Sequence, residues 1–213
     1  MKVIDMTRTM HAGMPVFPGD PSPDFEQTAD IQTDGFREKM LSFASHTGTH
    51  MDAPSHVIPD GITLDAFPLT QFYGNAVVIP CEAASTNGTI MLDTLMSVKG
   101  IMEADFLLLR TGWEKLWGQE KYFRGFPVLS EKAAIWIADK GKKGVGLDVM
   151  SIDPTDSETL PIHHIVLEKG RTVIIENLCR MDELPQGLFR FCAFPLKIRC
   201  ADGAPVRAAA FLD

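Results

Sequence analysis

Short apolar runs punctuated by turn residues dominate the chain. Residues 39–45 (KMLSFAS), 75–80 (NAVVIP), 105–110 (DFLLLR), 144–149 (GVGLDV), 172–176 (TVIIE) and 193–199 (AFPLKIR) are apolar or alternating and are bounded by turn signals, a pattern that predicts strands. Residues 90–98 (IMLDTLMSV), 130–140 (SEKAAIWIADK) and 160–169 (LPIHHIVLEK) instead carry helical spacing, with Ser130 as an N-cap ahead of the second. The first 25 residues hold Pro15, Pro18, Gly19, Asp20, Pro21 and Pro23 and are expected to form a rigid loop. Strands and helices therefore mix in an α/β fold. Unbroken runs such as FLLLR and TVIIE suit a sheet covered on both faces, whereas the long early stretch without helix suits an antiparallel or barrel-like portion. The expectation is a mixed β-sheet with flanking helices.

With 213 residues, 45% of them hydrophobic, the chain can bury a sizeable core, and a single domain spanning 1–213 is expected. A formal charge of −8 argues against nucleic acid and anionic lipid, which attract clustered Lys and Arg, and favours a small-molecule substrate. Cys81, Cys179, Cys192 and Cys200 form no Cys-x-x-Cys pair, so neither a zinc ribbon nor a disulfide framework is indicated. Asp5 and Arg8 interrupt the stretch where a signal peptide would be apolar, and no run approaches a membrane span, so a cytoplasmic location without membrane contact is expected. Internal repeats and low-complexity tracts are not visible.

Candidate chemistry is concentrated in one segment. Of six histidines, His46, His50 and His56 fall within eleven residues, together with Asp52. Thr47 and Thr49 are β-branched, Gly48 lies between them and Pro54 follows, all unfavourable inside a helix, so the segment is read as extended. Alternate residues of an extended chain share a face, which would put His46, His50, Asp52 and His56 on one side. A flat strand would hold the His46 and His50 Cα atoms about 13 Å apart, near the limit for two imidazoles to reach one ion. A bend at Gly48 is therefore expected. Two imidazoles and a carboxylate suit zinc, or manganese and iron, with coordination positions left open. A structural metal site or a histidine-rich polar turn would use the same residues, but structural zinc favours four ligands and cysteine, which this segment lacks. His56, with an unperturbed pKa near 6.5, suits a proton carrier, while a ligand or a residue supporting the ligands is the alternative.

The segment SHTGTHMDAPSH resembles the H-x-G-T-H-x-D-x-P-x-H signature of the cyclase-family metal hydrolases, to which bacterial kynurenine formamidases and isatin hydrolases belong. The likeness extends to Pro18-Gly19-Asp20-Pro21, Leu109-Arg110-Thr111-Gly112-Trp113, Glu176-Asn177-Leu178 and Asp202-Gly203-Ala204-Pro205-Val206-Arg207. The resemblance implies that His46, His50 and Asp52 bind one divalent metal and that His56 is the catalytic acid and base. It also implies that Asp52 bridges to a second metal held by Glu176 and a late histidine. His163 fits the family's Pro-x-His helix opening after Pro161, and His164 gives the twelve-residue interval to Glu176. Read without the resemblance, the His-His pair is a helix-start surface feature and Glu176 a strand-end charge, although acidic residues closing apolar strands sit where α/β sheets place their sites.

The expected reaction is hydrolysis of an amide C–N bond by a metal-activated water, with His56 carrying the proton and no covalent intermediate. The resemblance favours an aryl formamide such as N-formyl-kynurenine. A cyclic amide or lactone of the isatin type, or a non-catalytic metal-binding domain, are the alternatives. Phe17, Phe67, Phe72, Trp113 and Trp117 are candidates for an aromatic wall, with Phe17 taken as substrate-binding. The resemblance also implies a homodimer or homotetramer, with contacts expected around Phe17 and Phe67–Tyr73.

Overall fold

The computed structural model describes residues 1–86 and 88–212. Among the described residues there are twelve strands: β1 (Lys2–Asp5), β2 (Asp24–Ala29), β3 (Glu38–Ser42), β4 (His50–Asp52), β5 (Tyr73–Pro80), β6 (Thr89–Ile90), β7 (Phe106–Arg110), β8 (Val128–Leu129), β9 (Gly144–Leu147), β10 (Val173–Glu176), β11 (Phe189–Pro195) and β12 (Gly203–Leu212). The α-helices are α1 (Ile31–Asp34), α2 (Leu92–Met96), α3 (Glu131–Asp139) and α4 (Pro161–Leu167). Eight strands form one sheet in the order β1-β12-β11-β5-β7-β9-β10-β4, and β4 also pairs with β12. All but β1 therefore close into a ring. The β5–β7–β9–β10 portion is parallel and the rest antiparallel, the mixed, barrel-like sheet expected.

Strand β7 explains how the layers form. Its residues point alternately to opposite faces, so Phe106 and Leu108 join the barrel interior with Met51, Val173, Ile175 and Phe191. Leu107 and Leu109 face the other way, packing with Ala133, Ala134 and Ile137 of α3 and Ile162, Val166 and Leu167 of α4. Both faces are thus covered, which is why the run is continuously apolar. Gly146 of β9 leaves room inside the barrel: a Cβ there would lie 2.6 Å from Leu178 and 2.7 Å from Leu108. Ser130 caps α3 by accepting from the Ala133 amide, as expected.

Several elements differ from the sequence reading. The opening loop contains β1, which pairs with the distant β12, and the start of β2. The run at 39–45 becomes β3, which pairs only with β2 and leaves every residue exposed, outside the barrel. The strand expected at 193–199 lies earlier, at Phe189–Pro195. The longest strand, β12, was not expected because its alanines are poor local signals for a strand.

Candidate active site

The site lies at the carboxyl end of β10 and along β4, the short strand that closes the ring. Register places His50 opposite Glu176 on one neighbour and Asp52 opposite Gly203 on the other. His50 and Asp52 share a face while Met51 points into the barrel core. Extended structure is confined to these three residues. His46 precedes a turn at Gly48, whose φ of +69° is the expected bend, and His56 ends a 3-10 turn at Pro54–His56. The histidines thus converge because two turns flank a strand, not because one strand presents them all.

The resulting cluster is compact. His50 Nε2 lies 3.2 Å from Asp52 Oδ1 and 3.4 Å from Glu176 Oε2. His163 Nε2 lies 3.8 Å from Asp52 Oδ2 and 3.6 Å from Glu176 Oε1, and His46 Nδ1 is 2.7 Å from Asp52 Oδ1. The ring orientations are fixed from behind. His50 Nδ1 donates to the Gly48 carbonyl at 2.9 Å, and His163 Nδ1 donates to Asp153 at 2.8 Å, so in both rings Nε2 faces the cluster. Glu176 accepts from the Ile152 amide at 2.7 Å. Asn177 donates to the same Gly48 carbonyl and is itself held by the Tyr122 hydroxyl, tying the Gly48 turn to the end of β10.

Three overlapping sets, His46–His50–Asp52, Asp52–His163–Glu176 and, nearer the surface, His46–His56–Asp202, bring their ligand atoms close enough to hold metal ions. Asp52 Oδ2 is buried and accepts no hydrogen bond among the described residues, a cost that a cation would remove. This orphaned oxygen and the imidazole-carboxylate donor set fit a divalent metal. The charges within the cluster are strongly coupled. Burial opposes charge on His50, yet Asp52 and then Glu176 outweigh it and hold the imidazole well above its ordinary pKa. Burial likewise opposes the Asp52 carboxylate, but His50 and His46 pull it well below the usual range. His56 differs: burial, assisted by the neighbouring His46 and His163, lowers its pKa despite Asp52.

A cavity of about 220 Å³ opens onto the cluster, lined by Phe17, Asp20, His46, His50, Asp52, His56, Met150, Ser151, Leu160, His163 and Glu176. Phe17 is therefore placed on the wall. Phe72 is buried in the barrel-interior core with Phe67 half-buried against it, Trp113 and Trp117 pack against the helix-side core, and the cavity lining includes none of the four. His164 lies outside the cluster: neighbouring helix positions point about 100° apart, so with His163 buried in the cluster His164 is exposed. Asp153, Asp20 and Asp202 had no role assigned from sequence. For Asp153, only its bonds with the α4 amides and His163 reveal the purpose.

Comparisons with known proteins place the chain in a family. The family described as "Putative cyclase" matches residues 4–154. A kynurenine formamidase of Paracidovorax citrulli is 34% identical over 211 residues, covering 96% of this chain and 94% of that protein. Among solved structures, a "potential metal-dependent hydrolase with cyclase activity" is 31% identical with a TM-score of 0.81, covering 98% of this chain and 96% of that one. An isatin hydrolase bound to the product analogue thioisatinate shares the fold at a TM-score of 0.85 and 23% identity, over 99% of this chain and 92% of that one. The chain belongs to the cyclase family. It is an enzyme of the amidohydrolase type. Among the described residues no helix is long and apolar enough to cross a membrane.

Proposed function

We propose that the chain cleaves the C–N bond of an aryl formamide, with N-formyl-kynurenine as the favoured substrate, using one or two zinc or manganese ions per subunit. The observation that carries this reading is the convergence of His46, His50, Asp52, His163 and Glu176 on one cavity that His56 also lines. His46, His50, Asp52, His163 and Glu176 would hold the cation, which would supply Lewis acidity towards water and a carbonyl oxygen. His56 takes the proton of the attacking water as the C–O bond forms, then returns it to the nitrogen as the C–N bond breaks, releasing formate and an arylamine. Its lowered pKa keeps it neutral and ready to accept at neutral pH. Phe17, Met150 and Leu160 offer an apolar wall to the aryl ring. The kynurenine formamidase relative supports the choice of substrate.

The test is metal analysis of purified protein, followed by hydrolysis assays on aryl formamides and cyclic amides with the wild type and His56→Ala. We expect bound divalent metal, turnover of formamides, and a His56→Ala variant that keeps its metal but is slower by about 10²- to 10⁴-fold. Loss of metal from His56→Ala would make His56 a ligand instead of the proton carrier. Preference for isatin-type substrates would replace the substrate and keep the chemistry. We also propose that the enzyme works in the cytoplasm as a homodimer or homotetramer.

A further inference from the structure

We infer that Asp202 and Gly203 are positioning residues that hold the His46 imidazole against the barrel seam with one nitrogen turned to the metal cluster. The inference rests on reading His46 as a ligand. His50 is fixed by a strand and a carbonyl, and His163 by a helix and Asp153, but His46 sits in a turn that by itself leaves its ring free. Its far nitrogen, Nε2, lies 3.1 Å from Asp202 Oδ2, and that bond leaves Nδ1 facing Asp52 at 2.7 Å. The ring also lies flat on β12. A Cβ at Gly203 would be 2.5 Å from His46 Cε1, 2.7 Å from Nε2 and 2.9 Å from Nδ1, so any larger residue there must push the imidazole away. The pair is itself anchored to the ligand strand: the Ala53 amide donates to the Asp202 carbonyl at 2.8 Å, and Gly203 is the register partner of Asp52. His56 Nδ1 is farther from Asp202, at 3.7 Å, so the contact with His46 is the operative one.

The test measures zinc affinity of metal-free protein by competition with a chromophoric chelator. It compares wild type, His46→Ala, Asp202→Ala, Asp202→Asn and Gly203→Ala, and records the unfolding midpoint of each metal-free form. Asp202→Ala should weaken zinc binding by about 10- to 100-fold, the usual penalty for removing a group that orients a ligand. Asp202→Asn should recover most of the affinity, because its amide oxygen still accepts from Nε2. Gly203→Ala should lose at least as much as Asp202→Ala by crowding the ring. If Gly203→Ala fails to fold, the two Asp202 variants decide. Wild-type affinity in Asp202→Ala, with His46→Ala impaired, would overturn the inference and leave the metal reading standing. Wild-type affinity in His46→Ala would overturn both. Turnover lost from Asp202→Ala at unchanged zinc affinity would mean that Asp202 acts through His56, which also overturns the inference.

Discussion

At the scale of single residues, His163 and His164 separate two readings that the linear sequence leaves equal. Counting back from Glu176 favours one, and counting forward from Pro161 favours the other. The interval to Glu176 runs through a turn at Gly170, where φ is +65°, and turns absorb insertions, so the helix start is the better ruler. His163 is 3% exposed and faces Asp52 and Glu176, while His164 is exposed. His163→Ala should therefore lose one equivalent of bound metal by elemental analysis, with His164→Ala within error of wild type. The reverse result would move the second ligand by one residue. What the sequence could supply here was the chemistry of the residues. His46, His50, Asp52 and His56 were legible because their spacing is tight and their types are diagnostic. Asp202 and Asp153 were not, because a lone carboxylate in a turn carries no signal until the fold brings its partner across 156 residues, as for His46, or ten, as for His163.

At the scale of elements, legibility follows the range of the interactions that make each one. Strands β5, β7, β9 and β10 were visible because burial on both faces writes a continuous apolar run. Strand β1 depends on pairing with β12 from the opposite end of the chain, which no local window contains. Helix α4 shows how an element aims a side chain. Asp153 accepts from the Ile162 amide at 3.0 Å and the His163 amide at 2.9 Å, satisfying two of the free donors at the helix start, and from His163 Nδ1 as well. One buried carboxylate thus both starts the helix and sets its histidine. Asp153→Ala should then do two separable things. Leaving those donors unpaired should cost about 1–3 kcal/mol in a denaturant titration of the metal-free protein. Freeing the ring should also weaken metal binding, whereas a variant that lost stability alone would reduce Asp153 to a helix cap.

At the scale of the whole molecule, the β2–β3 hairpin is the feature that a lone copy explains least. A two-stranded hairpin is marginal in water without something to cover it, and among the described residues this one pairs with no other strand. Its tip and outer strand carry Ile31, Phe36, Met40 and Leu41, each more than half exposed, at 57%, 56%, 61% and 53%. Scattered apolar residues on a surface need no explanation, but four on one protruding arm do. In the region expected from sequence to make subunit contacts, Phe72 is buried and Phe67 half-buried against the core, while Leu69 and Tyr73 are exposed. We therefore predict that light scattering at assay concentration will give a dimeric or tetrameric mass. Met40→Asp combined with Leu41→Asp should shift that mass towards the monomer, because placing charge in a covered apolar contact opposes association. A monomeric wild type would refute the assembly, and an oligomer indifferent to the paired substitution would move the contact away from the hairpin.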